Sequence, residues 1–195
     1  MVSRSTKPRC ERCLQRGEPC LCAEIFPVRT RLQITILRHA AEAQKQTGSA
    51  RWAAQALGSG GCTLVDYAQD AAPFDEGLLD TEEAWVLFPN GEITPPPATP
   101  PKRLIVPDGT WQQARRMVAR LPKLRILPKL VLGEAPAGPR LRQPHLREGM
   151  STLEAIAAAL AVCGEAGPAE EMRALHERVI ARSERLRGPW RHFGR

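Results

Sequence analysis

Residues Arg103–Arg116 read RLIVPDGTWQQARR. An apolar, β-branched run stops at Asp-Gly and passes into a polar, helix-forming segment, so the stretch is a strand, a tight turn and a helix. Gly109 lets a backbone approach closely, and the N–H groups after Thr110 begin a helix. Thr110 and Gln113 have the spacing of a capping box. Ligands of α/β sheets bind beyond the carboxyl ends of strands, which is where Asp108 falls. Two readings stand at this point. Asp108 and Thr110 merely cap the helix while Trp111 packs in the core, or the turn carries chemistry.

Outward from this unit the same alternation recurs. Arg31–Arg38 (RLQITILR) reads as a buried strand, and Ser49–Leu57 as a helix closed by Gly58 and the GSGG turn. Further strands are expected at Cys62–Tyr67 and Ala84–Phe88. The run ITPPPATPP that follows carries five prolines, which forbid helix and central strand and leave a stiff extended connection. After the helix Thr110–Leu121, one or two short strands are expected within Arg125–Leu132, around Pro128. Gly133–Arg147 reads as a Pro- and Arg-rich loop. Ser151 opens a helix to Cys163 with Glu154 as its box partner, although capping alone would explain both residues. A last helix begins near Pro168, at a first-turn position that suits proline, and reaches Leu186. Strands alternating with helices specify an α/β domain with a mostly parallel sheet. No internal repeat is present.

The chain has 195 residues, with 43% hydrophobic and 25% charged side chains. That suits one domain plus a small appendage and argues against wholesale disorder. The longest apolar stretch, Leu153–Cys163, is far short of a membrane span. Met1–Arg9 is basic and polar with no apolar core behind it, which argues against a secretory signal and for a cytoplasmic protein with reduced thiols. The net charge of +7 is uneven. Residues 1–31 carry +4, residues 62–101 carry −8 with no Lys or Arg, and residues 102–147 carry +9. Either this is an ordinary solvated surface, or the two basic segments are the footprint of a polyanion. With one Tyr and four each of Phe and Trp, a platform stacking several successive bases is not expected.

Cys10, Cys13, Cys20 and Cys22 form C-x2-C-x6-C-x-C. Two close thiolate pairs can converge on a tetrahedral structural Zn²⁺, and such a site would fold thirty residues too poor in apolar side chains to fold alone. A redox pair at Cys10 and Cys13 is the competing reading, but that motif normally follows a strand. Cys62 and Cys163 read as buried apolar residues.

In combination the cysteine array, D-x-T-W (Asp108, Thr110, Trp111) with QQAR after it, and the S-T-L-E-A segment resemble the DTW-domain family. That family includes the tRNA-uridine aminocarboxypropyltransferases, and the resemblance runs in order from Cys10 to about Cys163. One departure is Ala40, where the family usually shows proline after the histidine that corresponds to His39. The resemblance implies a SPOUT-like α/β fold with a C-terminal knot, S-adenosylmethionine held in loops near the C-terminal half of the sheet, and a uridine in tRNA as acceptor. It also implies a division into a four-cysteine zinc-binding segment (1–30), a catalytic domain (31–187) and a tail (188–195). On that basis Asp108 is the candidate base, with a cap or cofactor contact as its alternative role. Thr110, Trp111, Ser151, Thr152 and Glu154 are the candidate cofactor contacts, with Trp111 as a pocket wall. Arg115, Arg116, Arg140, Arg142 and Arg147 are candidates to meet tRNA phosphates, or plain surface. A monomer is favoured over the dimers common among knotted enzymes. Two other functions compete: an S-adenosylmethionine-dependent RNA methyltransferase, and a non-catalytic zinc-containing RNA-binding module.

Overall fold

Unbroken apolar runs make strands that are buried on both faces, as a parallel sheet covered by helices requires. The computed structural model describes residues 9–16, 20–68, 76–79, 83–89, 91–134 and 149–187. Five strands occur among them: β1 (Gln33–His39), β2 (Cys62–Tyr67), β3 (Ala84–Leu87), β4 (Arg103–Asp108) and β5 (Lys129–Leu130). All pair in parallel, in the order β2-β1-β4-β3-β5, so β1, β4 and β3 lie inside the sheet and β2 and β5 at its edges.

Five helices cover the sheet: α1 (Ser49–Gly61), α2 (Trp111–Arg120), α3 (Pro122–Ile126), α4 (Thr152–Val162) and α5 (Ala166–Arg187). Period-2 alternation divides the strand side chains between two cores. Ile34, Ile36, Leu104 and Val106 pack with α1, α4 and α5 around the fully buried Trp52. Leu37, Ile105, Tyr67 and Val86 pack with Ala114, Met117 and Val118 of α2 and Leu124 of α3. At Gly58 the backbone is left-handed (φ 64°), which ends the regular part of α1 and turns the chain into β2 without a further loop. Cys62 and Cys163 are buried, and burial pushes the Cys62 thiol up to about 12.

The expected elements are present with two differences. Within Arg125–Leu132 only Lys129 and Leu130 are strand, and the chain first makes the short helix α3. Pro122 supplies its first turn, and Leu121 and Leu124 bury at helical spacing against the α2 core. The last helix begins two residues before Pro168, which lies within its first turn. The proline-rich connection forms neither helix nor strand, and Thr94 seals it to the sheet edge. Its N–H donates to the Val131 carbonyl (2.9 Å), and its hydroxyl accepts from the Val131 N–H (2.8 Å). The segment 135–148 between β5 and α4, where a knot would be threaded, lies outside the described residues. No described helix is long and apolar enough to cross a membrane.

Candidate functional site

Three helices begin at the carboxyl edge of the sheet, and each start is made by residue chemistry visible in the chain. Thr110 accepts from the Gln113 N–H (3.3 Å) while Gln113 accepts from the Thr110 N–H (2.7 Å), closing the first box. Ser151 and Glu154 do the same for α4, at 3.3 and 2.8 Å. Ser49 opens α1, and its hydroxyl accepts from the Leu153 N–H (3.3 Å), so α1 and α4 start against one another.

Asp108 is the last residue of β4 and is only 8% exposed. The Thr152 hydroxyl donates to its Oδ1. That bond joins the D-x-T-W turn to the S-T-L-E-A turn across 44 residues. In the parallel register Arg38 of β1 stands opposite both Asp108 in β4 and Asp66 in β2. Its guanidinium forks onto Asp66 (2.6 and 2.9 Å), leaving the pair half open to solvent on the Asp66 side. Bidentate geometry of this kind holds both planes fixed.

Trp111 is not a core residue. It is 42% exposed and stacks on Phe88, at the end of β3, with centroids 5.4 Å apart and planes within 2°. The indole therefore makes a flat apolar step beside the Asp108 turn. Glu154 is engaged twice, closing the α4 box and approaching His176 Nε2 of α5 at 3.5 Å. Arg115 and Arg116 are both exposed on α2, but only Arg116 lines a cleft with His39 and Tyr67. Arg140, Arg142 and Arg147 lie outside the described residues.

The four N-terminal cysteines converge. Their sulfurs all lie within 4.8 Å of one another, with Cys10–Cys22 and Cys13–Cys20 at 3.7 Å. A tetrahedron with Zn–S of about 2.3 Å has sulfur edges of about 3.8 Å, so the donor set fits that ion. The thiols differ in their leanings. Cys10 is held down to about 6, chiefly by the Cys13 backbone N–H, whereas burial raises Cys13 and Cys22. A bound dication would bring all four to thiolate. The knuckle is seated on α1: Trp52 Nε1 donates to the Cys13 carbonyl (3.1 Å) and Gln55 Nε2 to the Arg12 carbonyl (2.8 Å). Glu24, just after it, pairs with buried Arg182 of α5 at 3.0 Å.

Sequence reasoning did not single out Arg38, Asp66 or Phe88. Parallel register would have found the first two, because an arginine at the penultimate strand position must have neighbours on the same face.

The DTW domain family matches residues 7–184, which includes the cysteine array as well as both turns. The tRNA-uridine aminocarboxypropyltransferase 2 of Drosophila melanogaster is 28% identical over 167 residues, covering 79% of this chain and 66% of that protein. The chain thus spans about two thirds of the relative's length. No solved structure shows significant similarity.

Proposed function

The chain belongs to the DTW domain family, and from that premise we propose that it transfers the 3-amino-3-carboxypropyl group of S-adenosylmethionine to N3 of a uridine in tRNA. The products are 3-(3-amino-3-carboxypropyl)uridine and methylthioadenosine. The observation that carries this reading is the junction of the two motif turns: a buried carboxylate at a strand end, oriented by a hydroxyl from the start of α4.

Uridine N3 carries a proton at neutral pH and is a weak nucleophile. Asp108 accepts that proton as the N3–carbon bond forms. The bond from the sulfonium to the carboxypropyl carbon breaks, and its electron pair stays on sulfur, leaving a neutral thioether. A sulfonium offers three carbons, so orientation alone decides which one meets N3. Thr152 holds the Asp108 plane. Trp111 walls the pocket with its Phe88-backed face, and Thr110, Ser151 and Glu154 order the backbone of the two helix starts beside it. Arg115, Arg116, Arg140, Arg142 and Arg147 are proposed to meet tRNA phosphates, while one extruded base enters the site, a mode that needs few aromatic side chains. Zn²⁺ on Cys10, Cys13, Cys20 and Cys22 is structural. We retain the division at residues 1–30, 31–187 and 188–195, the SPOUT-like class with a C-terminal knot, a monomer, and a cytoplasmic location as parts of the same proposal. The all-parallel order β2-β1-β4-β3-β5 supports the fold class.

The test is incubation with unmodified tRNA and S-adenosylmethionine labelled either in the carboxypropyl chain or in the methyl group. Carboxypropyl label in RNA, with the modified nucleoside found by mass spectrometry, is expected. Methyl label alone would make the protein a methyltransferase. Tight, salt-sensitive binding with neither label transferred would make it an RNA-binding module.

A further inference from the structure

On the α2 face of the sheet, beside the Asp108 turn, lies a small cleft. His39, Tyr67, Gln113, Arg116, Met117 and Arg120 line it, and none of them is acidic. It encloses about 40 Å³. A single water needs about 10–15 Å³ by this measure, so the cleft has room for a phosphate group but not for a nucleobase.

Its donors are already arranged. The His39 Nδ1 accepts from the Ala41 N–H at 3.2 Å, which places the ring hydrogen on Nε2 and makes that atom a donor. Arg116 and Arg120 are one helical turn apart on α2, on the stripe that also carries Gln113. Like charges at this spacing weaken a helix unless an anion lies between them. The cleft adjoins the turn that follows Asp108: a methyl group added at Gly109 would come within 3.0 Å of Gln113 and 3.4 Å of the His39 Cβ. An anion held here would therefore be anchored beside the turn that starts after the buried carboxylate, on the opposite face of the sheet from Asp108 itself.

We propose that His39, Arg116 and Arg120 form a subsite for one RNA backbone phosphate, that of the nucleotide presented to Asp108. This rests on the transferase reading and deepens it. Guanidinium forks match phosphate geometry, and a phosphate bound beside the turn fixes the register of the strand without reading any base. His39 and the two arginines are then positioning residues for the acceptor.

The experiment compares R116Q, R120Q and the double variant with R173Q, which removes an equal charge from the exposed surface of α5. Three quantities are measured: kcat and KM for tRNA, the tRNA dissociation constant as a function of salt, and the His39 Nε2 resonance during titration with uridine 5′-monophosphate or with uridine. For the subsite, R116Q should raise KM for tRNA about tenfold and lower the salt slope by roughly one per contact removed. R173Q should do neither, and the nucleotide but not the nucleoside should shift His39. R116Q/R120Q indistinguishable from R173Q, or a His39 response to uridine equal to that with the monophosphate, would overturn it. Response to free inorganic phosphate with no change in tRNA affinity would likewise overturn it, leaving a small-anion site only. If the wild type transfers nothing to tRNA, the activity fails while the binding and resonance data still decide the subsite.

Discussion

Two carboxylates of equal burial sit at opposite ends of the same sheet. Asp108 and Glu165 are each 8% exposed. Glu165, just before α5, accepts from the Thr30 hydroxyl (2.8 Å) and from the Arg31 and Leu32 N–H groups (3.0 and 2.9 Å), so both its oxygens tie the start of β1 to the start of α5. Asp108 accepts from a side-chain hydroxyl on another element. Backbone donors make a carboxylate a rivet. A carboxylate at a strand's carboxyl end, beside three helix starts and an open aromatic step, has the surroundings that the proposed base requires. Burial does not separate the two, but the donors and the neighbourhood do.

The sharpest way to break this contrast is Asp108→Asn, which keeps an oxygen for Thr152 and removes only the basicity. Transfer should fall by about 10²–10⁴-fold, the usual contribution of general base catalysis. The thermal midpoint should stay near wild type, and retained activity would remove Asp108 as the base. Glu165→Ala should show the opposite signature. Leaving its donors unpaired costs about 2 kcal/mol, which lowers the midpoint by roughly 4–8 °C for a chain of this size, with turnover per folded molecule unchanged. A kcat loss larger than the stability loss would show that the two edges are coupled.

Cys13→Ser, or treatment with a chelator, tests whether the knuckle belongs to the rivet class. Zinc content should drop and proteolysis should begin within residues 9–24. Trp52 fluorescence should change, since its indole N–H rests on the Cys13 carbonyl. A metal-free protein that stays protected and active would overturn the zinc reading. The smallest effect expected is that of Thr152→Val. It frees the Asp108 plane and should cost about tenfold in kcat, or about 1.4 kcal/mol, with KM for tRNA little altered.

Much of this is legible in the chain, and the reasons are local. A capping box is a four-residue pattern, so both helix starts at the site can be read directly. The end of β4 beside Gly109 and the end of regular α1 at Gly58 are marked by residues that favour turns. The remainder depends on partners far apart in sequence. Trp111 reads as either core or pocket wall until Phe88, just after β3, is seen stacked against it. Arg38 reads as a strand-end charge until the register brings Asp66 and Asp108 to its two sides. Segment α3 escapes the sequence because five residues around Leu124 carry too little periodicity to separate helix from strand, and only burial against α2 decides it.

Thr94 occupies the outer side of β5, and the residues that follow it, Pro95, Pro96 and Pro97, have no N–H to offer. A strand from another molecule arriving at this border finds its first positions taken and the next ones unable to donate. Sheet-to-sheet polymerisation is therefore blocked there by covalent chemistry, not by charge. The proline-rich connection, which holds none of the proposed catalytic groups, thus keeps the sheet from propagating into a neighbour across the β5 edge.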